Sequence, residues 1–404
     1  MPPPDRLRTL ILTLEYPNRV SYYSDWRDAF LNSTHFICRV VNLFYYGPKK
    51  LTRMIEEFDV IVLLHSCNSD TLDYFEPLAP VLGSRRKAKL LSFVGNEFNS
   101  PYVSTPKRVA LLQEARCDIV ATQLLQEAGE FLYSGIDARV VSVPHALNPS
   151  AFTPGPTGGA RSLDIGVKGY RYPPFLGDDD RNQMVEYFLA NASQQGLIVD
   201  ISEDKRLGRR QWSEFLADCR GTISTETGSW YLDRDDLLVT RIREYFKSKR
   251  TGIVVSNDGR LRRLARHLPS SVKAALWQVL RRGPIGFEVF DDLTTPFDDL
   301  EQRFFRNAKR SPVYSKAISS RHFDAIGTKT CQIMLKGRFN DILMADMHYL
   351  AVEPDFSNVQ SIIARFKDAA ERHRIVESAY QHVMAAHTYA HRIAAIRTEL
   401  QSLH

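Results

Sequence analysis

The stretch SSRHFDAIGTKTCQIML, residues 319–335, gathers several kinds of chemistry at one helix end. Its pattern predicts a loop, a turn of helix and then a strand. Ser319 or Ser320 is placed to cap the helix, which leaves the backbone N–H groups behind it without intrahelical partners. Those N–H groups and the helix dipole favour a phosphate. Arg321 adds a planar fork of donors, and His322 is a second possible cation. Asp324, one turn in, would repel phosphate, but it can accept hydrogen bonds from a neighbouring diol such as a ribose. Acidic residues play that part in dinucleotide sites. Together these residues suit a sugar nucleotide diphosphate. A plain capped helix with an acid in its first turn shows the same local pattern.

A second group of the same kind lies in LDIGVKGYR, residues 163–171. Gly166 and Gly169 permit close backbone approach, and Lys168 and Arg171 suit a diphosphate; solvated surface cations would look the same. STETGSW, residues 224–230, ends a strand with Glu226 and Gly228, where a carboxylate and free amides can face a sugar. Metal patterns are thin. The acidic runs 178–180 and 233–236 read as helix starts or solvated loop. His387 and His391 share a helix face but lack the glutamate and third ligand of a zinc site. No metal residue is assigned.

These groups need elements to hold them. The first 145 residues alternate short apolar runs (9–14, 36–44, 59–65, 89–95, 117–123, 139–145) with helical patterns. That alternation predicts a parallel sheet covered on both faces, with ligands at the carboxyl ends of its strands. The tips at those ends include His65, Glu97 and the PHALN turn from Pro144. Residues 144–162 then pack four prolines and three glycines into nineteen positions, as a linker does. A second α/β unit follows, with an irregular helix-rich stretch at about 231–315 and long helical patterns to the end.

At 404 residues the chain is long for one core. A net charge of +6 favours anionic partners such as phosphate-bearing ligands or acidic lipid. Five widely spaced cysteines read as reduced core thiols of a cytosolic protein. No run approaches the ~20 apolar residues of a membrane span. Residues 258–282 carry seven Lys/Arg against one acid, with leucines and Trp277 interleaved. Such a segment suits an anionic membrane surface or, equally, a helix pair packed on its own domain. Nucleic-acid binding lacks the usual aromatic-basic modules.

VPHALNPSAFTPGP (143–156) resembles the interdomain linker of GT-B type glycosyltransferases. SRHFDAIGTKTCQIM (320–334) resembles the donor-site helix of the retaining group-1 branch. With AYQHVMAAHTYAHR (379–392), the chain is most similar to the spore-maturation-type glycosyltransferases. The resemblance implies an α/β fold of two facing Rossmann-like domains, with the donor held mostly by the second. It places a first-domain acceptor side at 1–148, a linker at 149–162, and a donor domain at 163–385 with an insertion at about 231–315. A C-terminal helix, 386–404, crosses back. The family's second donor-site acid falls on Asp324, where glutamate is usual. Its first falls on Lys316, and Glu226 is taken in its place, with the insertion splitting the motif. The glycine-rich turn after strand one is replaced by EYPNRVSYY.

The expected activity is transfer of a sugar from a nucleotide-diphosphate sugar to a glycan, lipid-linked or protein acceptor, for instance in building cell-surface polysaccharide. It is expected to be retaining and metal-independent, with no separate cofactor. Lys168, Arg171, Glu226, Gly228, Ser320, Arg321 and Asp324 would hold the donor. If the reaction inverts, a first-domain base is required, and Glu97 and His65 are the candidates. The expected location is cytoplasmic, with peripheral attachment to the inner membrane face through the basic segment. Two other readings stand beside it: a non-catalytic sugar- or nucleotide-binding protein on the same scaffold, and a sugar-nucleotide epimerase.

Overall fold

The computed structural model describes residues 6–15, 21–69, 71–155, 161–203, 207–249, 253–255, 285–287 and 295–403. The basic segment 258–282 and most of the turn after strand one, Tyr16–Val20, lie outside them.

The first domain is one six-stranded sheet: β1 (Leu7–Thr13), β2 (Phe36–Asn42), β3 (Val60–Leu63), β4 (Lys89–Phe93), β5 (Ile119–Thr122) and β6 (Arg139–Ser142). Its order is β2-β1-β3-β4-β5-β6, and the paired strands run parallel. The central strands are apolar on both faces because both are covered. One face packs Leu10, Leu12, Ile61 and Leu90 against residues such as Phe75 and Leu112. The other packs Ile11, Val62 and Phe93 against Trp26 and Phe30.

The second domain is a five-stranded sheet of β7 (Leu163–Lys168), β8 (Val199–Ser202), β9 (Cys219–Ser224), β14 (Cys331–Leu335) and β15 (Leu350–Val352). Its order is β15-β14-β9-β7-β8, again parallel. Between β9 and β14 the chain makes a detour. Its ends close on each other where β10 (Thr227–Gly228) pairs antiparallel with β13 (Lys316–Ala317). Ser315 Oγ donates to the Ser229 carbonyl at 2.6 Å, and the Ser311 N–H to the Trp230 carbonyl at 2.7 Å. The stretch expected as an insertion therefore leaves and re-enters the domain at one zipped neck. Within it lie the Leu237–Ser248 helix and a parallel pair, β11 (Ile253–Val255) and β12 (Ile285–Phe287).

Two crossings join the domains side by side. The Leu147 N–H donates to the His387 carbonyl and the Tyr389 N–H to the Leu147 carbonyl, both at 3.0 Å. After this bridge the Tyr389–Gln401 helix returns to the first domain, where Ile393, Ile396 and Leu400 join the Trp26 side of its core. All five cysteines are free thiols, four of them buried.

The acidic runs serve the fold. Lys316 is buried and its ammonium meets Asp178 at 2.6 Å and Asp180 at 2.7 Å. Burial pulls its pKa down, but the two carboxylates outweigh burial and hold it above the ordinary lysine value. In the other run, Asp236 accepts from the Asn99 side chain at 3.0 Å and the Thr105 N–H at 2.7 Å, which clasps the detour's foot to the first domain. The histidine pair diverges: His391 Nδ1 meets Thr388 Oγ at 2.7 Å, while His387 Nδ1 faces Arg392 at 3.2 Å.

Candidate functional site

The facing carboxyl ends of the two sheets enclose a cleft of about 610 Å³. The first domain contributes Asn96 and Phe98 after β4, Gln123 after β5 and His145 after β6. The second contributes Val167 and Lys168 at the end of β7 and residues 170–173 after it, Ser224 and Thr225 at the end of β9, Gly228, and the start of the Ser320–Gly327 helix.

Ser319 is the cap, with extended backbone at φ −106° and ψ 165°. The His322 ring folds back over it, and Nδ1 accepts from the Ser319 N–H at 3.0 Å. That bond fixes the remaining ring proton on Nε2, and burial lowers the pKa to about 4. Of the two possible cations at this helix end, only Arg321 is charged near neutrality. The effect on stability has a definite sign. Between about pH 6.5 and 4 the unfolded chain binds a proton that folded His322 refuses, so stability falls as pH falls through that window. His322→Asn, which keeps an acceptor for the Ser319 N–H, is expected to remove up to about 1.4 kcal/mol per pH unit from that slope. Urea unfolding of both proteins at pH 7 and pH 5 measures it; equal slopes would contradict the assignment.

Arg321 does not act alone. A β-carbon built on Gly169 would stand 2.5 Å from Arg181 Nη2 and 2.9 Å from Arg321 Nη1. Two guanidiniums thus converge over one bare stretch of backbone, and any side chain there would push them away. Arg321 Nη1 donates to the Lys168 carbonyl at 2.6 Å, and its guanidinium lies 5.4 Å from the Trp212 ring centre. Arg181 lies 4.8 Å from the Tyr172 ring centre and meets no carboxylate among the described residues. The first-turn amides of the Ser320–Gly327 helix add to this positive corner.

Asp324 sits one turn further in, 3% exposed, and Oδ2 accepts from Trp212 Nε1 at 3.0 Å. Burial first, then the charge of Asp25, raises its pKa well above the usual carboxylate range, against the pull of Trp212 and Arg321. A carboxyl biased toward its neutral form does not repel a neighbouring phosphate, and it still hydrogen-bonds a diol.

Several expected site residues are committed to partners within the protein. Lys168 lines the cleft, but β8 sets Asp200 diagonally across the ladder and the ammonium pairs with it, 5.2 Å from the Phe215 ring centre. Arg171 is matched by Glu186, with Glu203 at 3.6 Å. Glu226 does not line the cleft. It is turned into the domain, where it accepts from the Phe339 N–H at 2.7 Å and from the Tyr314 hydroxyl. Gly228, at φ 118°, does line the cleft, as does Ser320.

Neither candidate base reaches the cleft. Both Glu97 oxygens are committed inward: Oε1 accepts from Thr122 at 2.7 Å and Tyr133 at 2.8 Å, and Oε2 from the Gln123 N–H at 2.7 Å. His65 is fully buried among aromatic rings, with Phe93 at 4.7 Å and His145 stacked at 5.5 Å. Burial, then His145, lowers its pKa well below the ordinary imidazole value. His145 is the histidine that lines the cleft. Its Nδ1 accepts from Trp26 Nε1 at 3.2 Å, and burial lowers its pKa to about 3, so it stays neutral with its proton on Nε2.

Residues 300–398 match a family model described as glycosyl transferase-like. That segment includes Arg321 and Asp324. No curated protein matches the chain by sequence. Among solved structures, an alpha-glucosyltransferase determined with UDP-glucose and DNA containing an abasic site matches with a TM-score of 0.54. Its identity is 10%, over 98% of this chain and all of that one. Anabaena HepE with UDP-glucose matches with a TM-score of 0.51 at 11% identity, over 98% and 100%. The fold is GT-B. In GT-B terms, the cleft is the space between the two facing sheets, and the Arg181–Arg321 corner lies on its second-domain wall. None of these matches singles out the spore-maturation branch.

Proposed function

We propose that this chain transfers a sugar from a nucleoside-diphosphate sugar to an acceptor hydroxyl presented at the first-domain wall, with retention at the anomeric carbon. The convergence of Arg181 and Arg321 over Gly169, beside the capped helix, carries the reading. When the bond from anomeric carbon to phosphate oxygen breaks, its electron pair passes to the diphosphate. Two guanidiniums and the helix amides are preorganised for that charge. Asp324, one turn away, faces the ribose diol. The acceptor hydroxyl bonds to the anomeric carbon on the face the diphosphate leaves, and its proton passes to the departing phosphate oxygen. The first-domain wall suits this route. Its described lining residues are Asn96, Phe98, Gln123 and His145, none of them a carboxylate. The glycosyl transferase-like match and the UDP-glucose held by both GT-B structures support a sugar nucleotide as donor.

A thermal-shift screen of nucleoside diphosphates tests the binding step. A cognate ligand at a hundred times its dissociation constant adds about 2.7 kcal/mol of stability. Turnover of the matching donor sugar with and without acceptor then separates transfer from epimerisation and from binding alone. Proton NMR of the new linkage reads the anomeric outcome, and an inverted product would overturn the proposed proton route.

A further inference from the structure

We propose that the corner formed by Phe44, Tyr45 and the basic helix after them docks this protein on an anionic lipid bilayer. The corner follows β2, the edge strand of the first-domain sheet. Phe44 is 45% exposed and Tyr45 71%, with their rings edge to face at 5.1 Å. They are held in position by a fixed turn. The Phe44 N–H donates to Asn42 Oδ1 at 3.0 Å and the Tyr45 N–H to the Asn42 carbonyl at 3.0 Å. On either side, Leu43 is buried and Tyr46 packs against the same core. Two large aromatic side chains are therefore displayed to solvent by a rigid anchor.

The chain next forms the Pro48–Met54 helix, whose Lys49, Lys50 and Arg53 are exposed and meet no carboxylate among the described residues. The lysines do not stabilise their own helix, because cations in a first turn oppose its dipole. The acids Glu56 and Glu57 come only after the far end, where Glu56 accepts from the Arg86 N–H. Exposed aromatics beside lysines without a carboxylate partner, one of them over the Tyr46 ring at 5.5 Å, suit the headgroup region of an acidic bilayer: rings settle at the interface while ammonium groups meet lipid phosphates. Topology ties the corner to the cleft. Because the strands are parallel, the loop after β2 lies at the same end of the sheet as Asn96, Gln123 and His145. It stands three strands from β4, roughly 14 Å away at the usual strand spacing. A bilayer touching the corner lies beside the cleft mouth, within reach of an acceptor carried on lipid.

Flotation with vesicles of phosphatidylcholine, with and without phosphatidylglycerol, tests this at low and high salt. The full-length protein is expected to float only with the anionic vesicles and to be released by salt. Lys49→Glu/Lys50→Glu and Phe44→Ser/Tyr45→Ser are each expected to lower the bound fraction about tenfold or more. Unchanged melting temperatures and unchanged nucleotide-induced stabilisation show that fold and donor site are intact, so the outcome is independent of the donor reading. Absence of flotation with anionic vesicles overturns the proposal. So does equal flotation of the variants and the parent, which would assign lipid binding to another part of the chain. A concentration-dependent mass abolished by Phe44→Ser/Tyr45→Ser, without flotation, would assign the corner to a second copy instead.

Discussion

Turnover of the Arg321→Ala variant is expected to fall about a hundred- to a thousandfold, the loss typical when one preorganised donor to a developing negative charge is removed. Arg321 is built in from two sides, by the Lys168 carbonyl and by the face of Trp212. Its guanidinium is thus ordered before any ligand arrives, and little reorganisation is left for the reaction. Because the charge develops as the bond breaks, kcat and kcat/KM should fall together, with a smaller change in donor affinity. Arg321→Lys keeps the charge but loses the fork, and should recover only part of the rate. Arg181→Ala should fall in the same direction. The double variant should lose less than the product of the two single losses, since both guanidiniums meet over the same Gly169 backbone. Steady-state kinetics on variants with unchanged melting temperature decide it. A rate within about threefold of the parent would remove the diphosphate from this corner.

The largest loss of stability is expected from Lys316→Met. Lys316 is the one described cation between Asp178 and Asp180, and Asp178 is as buried as the lysine itself. Removing one member of a buried pair strands the other, at a cost of about 3–5 kcal/mol. Burial already holds the Asp178 carboxyl above its ordinary value against the pull of the ammonium, and without the ammonium it rises further. The folded variant then binds more protons than the folded parent in the window between their two values, so its deficit shrinks as pH falls through that window. Urea unfolding at pH 8 and pH 5 measures both effects. A deficit under about 1 kcal/mol at both pH values would contradict the role given to this pair.

Local patterns in the sequence reached a long way into this fold. Apolar runs and helical periods fixed two parallel-sheet units, and proline and glycine marked the first crossing between them. The serine cap, Arg321 and Asp324 were legible because a helix end is built from neighbours in sequence. What stayed hidden were partners. Asp178 and Asp180 read as a loose acidic run because Lys316, which neutralises them, is 136 residues from Asp180. Arg181 directly follows that run and carried no signal of its own, so the second guanidinium of the corner was missed. Trp212 carried no signal at all, since its bond to Asp324 spans 112 positions. Glu97 was placed correctly at a strand's carboxyl end. Its direction was set by Thr122 and Tyr133, 25 and 36 residues away. Glu226 likewise looked free to face a sugar until the backbone at Phe339, 113 residues on, turned it inward.

The distinction between a diphosphate corner and a merely basic wall is sharpest when the nucleoside diphosphate selected by the thermal-shift screen and its monophosphate are titrated calorimetrically into the same protein. The two ligands share base and ribose and differ by one phosphate. With both guanidiniums meeting that phosphate, the diphosphate is expected to bind about ten- to a hundredfold more tightly than the monophosphate, the range of charge-assisted hydrogen bonds. In Arg181→Ala/Arg321→Ala the ratio is expected to fall toward one. Equal affinities in the parent, or a ratio that survives the double substitution, would contradict the site.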